Sequence, residues 1–180
     1  MNGFVPIDAL KAGDMVWTSD NGFQVVRWHG CRIVSGLDKY APIQFDAEAF
    51  GNPRPLIVSP QHRVLVTGWR AQLWFGEDEV LVAAKHLVNG TSIRVTPVPF
   101  VEYHHVLFDG HEIVESEGIL SESFHPGAYI MGTDDGMRDE ILELFPELRD
   151  RPESALPCTA RAVLRGVEAP VLGAPVLMAA

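Results

Sequence analysis

Only two cysteines, Cys31 and Cys158, occur in the 180 residues. Two thiols build neither a disulfide framework nor a four-thiolate zinc site. Basic residues are also scarce: 14 Lys and Arg stand against 24 Asp and Glu, a formal net charge of −10. An acidic chain repels phosphate backbones, so no nucleic-acid partner is expected. No stretch reaches the roughly 20 apolar residues that span a bilayer, and membrane insertion is not expected. The N-terminus, Met1 to Asp8, lacks the basic start and long apolar run of a signal peptide. Walker loop, dinucleotide fingerprint, His-Glu-x-x-His helix and Gly-x-Ser-x-Gly elbow are all missing. Common nucleotide enzymes and serine hydrolases are thereby disfavoured, and no cofactor is implied.

What is present is apolar enough for a core: 47% hydrophobic and 21% charged residues. Strand-prone runs dominate up to about residue 125. Val16-Trp17-Thr18 and Phe23 to Trp28 flank Asn21-Gly22, a hairpin signal because both turn residues tolerate positive φ. Further runs are 56–58, 63–66, 80–82, 92–95 and 98–108. Asp109-Gly110 reads as a second hairpin turn before His111-Glu112-Ile113-Val114. Many short strands with Gly and Pro turns predict a mainly β fold. Ala83 to Leu87 reads as one helical turn. Met137, Ile141, Leu144 and Phe145 form an apolar stripe that predicts a helix over 134–148, which Pro146 ends. The predicted organisation is a β domain over 1–130, an appended helix over 131–150 and a flexible Pro/Ala-rich tail over 151–180.

One pattern repeats. Leu10-x-x-Gly13-x-x-Val16 returns as Leu87-x-x-Gly90-x-x-Ile93, at an offset of 77 throughout. Each copy reads as a short helical turn closed by a left-handed glycine and leading into a strand. Two related β halves are expected.

Seven histidines are the chemical lead: His29, His62, His86, His104, His105, His111 and His125. In Ser59-Pro60-Gln61-His62, hydroxyl and imidazole lie three residues apart at a strand end. The imidazole can protonate a departing amide nitrogen while the hydroxyl orients the carbonyl. The same residues also read as an ordinary Ser-Pro turn before a strand. On a straight strand, His105, Asp109 and His111 would share a face and offer a metal set. A turn at Asp109-Gly110 breaks that alternation and leaves solvated histidines. Cys31 is expected as a small buried residue in a strand, and the four tryptophans as core or anchoring residues.

In order, Leu10 to Val16, Ser59-Pro60-Gln61-His62-Arg63-Val64, Leu81 to Gly90 and Val106 to Leu120 resemble the Hint domain. This is the self-processing module of Hedgehog C-terminal domains and inteins, and the match is to its bacterial subgroup. The resemblance implies a pseudo-twofold β horseshoe. It also implies that an N-terminal Cys or Ser attacks the preceding carbonyl and turns a peptide bond into a (thio)ester. The partner is then the chain's own upstream polypeptide. The family's Thr-x-x-His block falls on Ser59 and His62, and Asp109 and His111 lie in its last motif. The nucleophile expected some ten residues before Leu10 has no Cys counterpart here. The chain as written is therefore expected to be inactive until an upstream extension supplies it. No Asn follows Gly118-Ile119-Leu120, so splicing is not expected. Two alternatives stand beside this reading. One is a non-catalytic binding module on the same fold. The other is a metal-dependent hydrolase using His105, Asp109, His111 and perhaps His62.

Overall fold

The computed structural model describes residues 3–125 and 158–172. The predicted helix over 134–148 lies outside the described residues. Twelve strands are described: β1 (Met15–Thr18), β2 (Gly22–Val25), β3 (Trp28–Gly36), β4 (Ile43–Phe45), β5 (Leu56–Val58), β6 (Arg63–Thr67), β7 (Glu79–Ala83), β8 (Ile93–Val95), β9 (Val98–Leu107), β10 (Ile113–Ser116), β11 (Ile119–Glu122) and β12 (Ala162–Val163). Among the described residues, one α-helix, α1 (Trp69–Phe75), joins them. The protein is mainly β, as expected.

Seven strands form one sheet in the order β12-β7-β6-β11-β10-β1-β2. β3 and β9 form a separate long ribbon, and β5-β4-β8 a third sheet. The β1–β2 hairpin turns where Asn21-Gly22 predicts. Thr18 Oγ1 donates to the Gly22 carbonyl at 2.9 Å and accepts from the Asn21 amide, so the turn satisfies its own polar groups.

The repeat at offset 77 is a structural repeat. A 3-10 turn at Ile7–Ala9 leads through Gly13 (φ +98°) into β1. A 3-10 turn at Ala84–His86 leads through Gly90 (φ +75°) towards β8. The two halves then exchange partners. β1 pairs with β10 of the second half, and β8 pairs with β4 of the first. β3 and β9 pair antiparallel with each other. Such reciprocal pairing is what a pseudo-twofold relation requires.

The core lies between the sheets. Ile43 and Phe45 from β4, Val64 and Val66 from β6, Val80 and Val82 from β7 and Ile93 from β8 are buried together. Valine and isoleucine fit a pleated, close-packed surface, which is why these runs choose strand.

Three expectations are corrected. Asp109-Gly110 does not turn a hairpin: β9 stays with β3 as far as Leu107, while β10 pairs with β1 and β11. The hairpin is one motif later, between β10 and β11, at Glu117 (φ +51°) and Gly118 (φ +83°). Two positive φ values match the twist of a two-residue hairpin. Cys31 does lie in a strand, but it is exposed.

The tail is corrected over residues 158–172. β12 adds in parallel to β7, and Leu164 donates its amide to the Leu81 carbonyl at 2.9 Å. Leu164, Ala169 and Leu172 are buried in the core. Gly166 packs so close to His86 that a Cβ would meet its ring at 2.6 Å. Without this segment the backbone edge of β7 would lack a partner on that side.

Candidate functional site

Between the end of β5 and the start of β6, the chain makes a tight turn. The His62 amide lies 3.1 Å from the Ser59 carbonyl and 3.2 Å from Ser59 Oγ. Ser59 therefore spends its hydroxyl on the turn that presents His62. The His62 carbonyl accepts the Ala84 amide at 2.9 Å, and the Pro60 carbonyl accepts that of Lys85. These bonds tie the turn to the second copy of the repeated element. Local sequence and pseudo-symmetry together fix where the imidazole sits.

Next to it runs β11, whose last residue, Glu122, is 4% exposed. A buried carboxylate needs charge and hydrogen-bond partners. Arg63 supplies two: its amide donates to Oε1 at 3.1 Å and Nη1 to Oε2 at 3.0 Å. His111 brings Nε2 to 3.3 Å from Oε2, close but off the hydrogen-bond direction. The other nitrogen of His111, Nδ1, accepts the Ala160 amide at 2.9 Å. That bond leaves the neutral ring's proton on Nε2, facing the carboxylate. The returning tail thus sets the tautomer of a buried histidine. His125 lies beside it, ring centroids 4.7 Å apart.

From β9, His105 completes the group. Its ring stands edge-on to Phe124, centroids 5.2 Å apart. Burial, and then the neighbouring His62, His104 and His29, push its pKa down to about 4. His62 keeps some surface, but the protein packed round it still lowers its pKa, and Arg63 adds to that. Glu122 works the other way on both histidines. Burial alone would raise the Glu122 carboxyl. The His111 ring and the charges of Arg63 and His62 outweigh it and hold the carboxyl below its usual range. The result is a carboxylate, a fixed guanidinium and, in His62 and His105, imidazoles biased towards the neutral form in a partly dry corner. A proton placed on His62 there is held weakly and given up readily.

Of the residues singled out from sequence, Ser59, His62 and His111 lie in or beside this corner. Asp109 does not: it is exposed and ion-paired with Arg27, whose Nε donates at 2.8 Å. That hydrogen bond holds the Asp109 carboxyl below its usual range. His105, Asp109 and His111 do not form a metal set. Among the described residues, the His/Cys/Asp/Glu group with ligand atoms within 4.8 Å of one another is Cys31, Glu102 and His104. Sequence reasoning missed Glu122 and Arg63. No local signal in Ser121-Glu122-Ser123 marks its glutamate as buried.

A mainly β protein with two halves that exchange strands, and a histidine presented by a Ser-x-x-His turn, defines a class. The chain belongs to the Hint-domain family, whose model matches residues 1–128. No curated protein and no solved structure matches the chain. Among the described residues, no helix is long and apolar enough to cross a membrane.

Proposed function

We propose that this Hint domain is of the bacterial Hedgehog/intein type and catalyses cleavage of its own upstream polypeptide. A nucleophile ahead of the repeated Leu-x-x-Gly element, supplied by an upstream extension, adds to the preceding carbonyl. One C–N bond breaks and one C–S or C–O bond forms. The nitrogen leaves with a proton donated by His62, and water then hydrolyses the (thio)ester. Ser59 holds the turn that aims His62, and Glu122 stabilises the imidazolium while His62 carries the proton.

The observation that carries this reading is the His62 environment. Its turn is braced from both sides, and burial lowers its pKa. A mostly neutral imidazole can take the nucleophile's proton and pass it on to the leaving nitrogen, and such positioned proton transfer contributes about 10²–10⁴ in rate. The test is a chain extended upstream by a Cys-Phe-type start and a reporter protein. Hydroxylamine or added thiol is expected to release the reporter. A folded extended chain that stays intact under both reagents would overturn the proposal.

A further inference from the structure

On the β3–β9 ribbon a second set of chemical groups faces away from His62. Cys31 lies directly opposite His104, and Ile33 opposite Glu102. Side chains alternate along strands, so His29 and Cys31 share one face of β3, and Glu102 and His104 the matching face of β9. His105, the next residue, points to the other side, where Phe124 and His62 are. The two sets share a ribbon but not a face.

The donors suit one ion. Cys31 Sγ, a Glu102 oxygen and a His104 nitrogen lie within 4.8 Å of one another. His104 Nε2 is 3.5 Å from Glu102 Oε1. With zinc–nitrogen and zinc–oxygen bonds of about 2.0–2.2 Å, a tetrahedral edge is about 3.4 Å. That pair already stands at ligand spacing. A metal bound at Cys31 Sγ would take the place of the thiol proton, which goes to solvent.

The outer partners fit as well. His104 Nδ1 lies 3.1 Å from His29 Nε2, with the two rings 5° from parallel. A metal on His104 Nε2 leaves the proton on Nδ1, where it is donated to His29. A ligating histidine fixed through its far nitrogen is the usual arrangement around bound metals. Thiolate, imidazole and carboxylate together favour zinc-class ions over magnesium or calcium.

The geometry points to a zinc-class divalent-metal site on the outer face of the β3–β9 ribbon. Cys31 Sγ, a Glu102 oxygen and His104 Nε2 are its ligands, a fourth position is left for water, and His29 orients His104. The site clips the two strands together across their middle. It is independent of any cleavage chemistry.

The experiment titrates the reduced, metal-free 180-residue chain with Co²⁺. A thiolate-to-cobalt charge-transfer band is expected, saturating at about one equivalent and displaced by Zn²⁺ but not by excess Mg²⁺. With only two cysteines, the thiolate can be assigned. Cys31→Ser is expected to abolish the band and Cys158→Ser to keep it. Glu102→Gln is expected to weaken binding, and His29→Ala to weaken it by about 10- to 100-fold while retaining the stoichiometry. Because Cys31 and Glu102 are exposed, circular dichroism of these variants is expected to match the parent. Absence of the band, its survival in Cys31→Ser, or its loss in Cys158→Ser would overturn the proposal.

Discussion

Arg63 holds Glu122 at both carboxylate oxygens, through its backbone amide at 3.1 Å and its Nη1 at 3.0 Å. The pair joins the first residue of β6 to the last of β11. It also brings negative charge beside His62 and His105, where imidazoles alone would repel each other's protons.

Arg63→Met removes the guanidinium and leaves the buried carboxylate with the backbone amide of residue 63 and the His111 ring but no fixed positive charge. Breaking such a pair costs on the order of 3 kcal/mol. Urea unfolding is expected to show that loss, with an unchanged slope. Loss of less than about 0.5 kcal/mol would mean that the pair is solvated.

Glu122→Gln keeps the shape and removes the charge. Glu122 is a group that raises the pKa of His62 against burial. In the variant, the His62 pKa is expected to fall further. An NMR titration of the His62 ring reads this directly, and an unchanged midpoint would contradict the coupling.

Acid should unfold the protein early. His105 and His62 titrate lower in the folded protein than at the ordinary 6.5. The unfolded chain therefore binds protons that the folded one refuses. Their stabilising effect is complete above pH 6.5 and is lost as the pH falls through the folded values. For His105 the span from 6.5 to about 4 is worth at most on the order of 3 kcal/mol. Glu122, also lowered, adds to the loss below its ordinary 4.5. Denaturant midpoints measured between pH 7.5 and 4.5 are expected to fall, and less so in His105→Phe.

The repeat offers its own test. At Gly13 and Gly90 a Cβ would meet nothing within 4 Å, yet both have positive φ. Alanine there costs backbone strain alone, about 1–2 kcal/mol at each site. Similar costs at the two positions are expected from chemical denaturation. A neutral change at either would show that its turn is free to relax.

Much of this architecture is legible in the sequence because it is local. Short valine- and leucine-rich runs mark β6 and β7, Asn21-Gly22 marks a turn, and the offset of 77 marks the two halves. What is not legible depends on contacts far along the chain. Asp109-Gly110 has good turn chemistry, but pairing of β9 with β3 and of β10 with β1 overrides it. The real turn, Glu117-Gly118, carries a residue that rarely takes positive φ. Helix α1, with Trp69, Leu73 and Trp74 exposed, lacks the amphipathic stripe that would announce it. His62 is found through its Ser-x-x-His turn. Its carboxylate partner comes from 60 residues away, and Ala160, which fixes the His111 tautomer, from a segment that reads as loose tail.

The most direct measurement compares cleavage rates of the upstream-extended chain with and without His62→Ala, at pH 7 and with both forms shown to be folded. The account predicts that the variant cleaves about 100-fold or more slowly, while Asp109→Asn, altering only an exposed pair, cleaves as the parent does. Equal rates for the parent and the His62 variant would contradict the assignment of His62 as the acid that releases the scissile nitrogen.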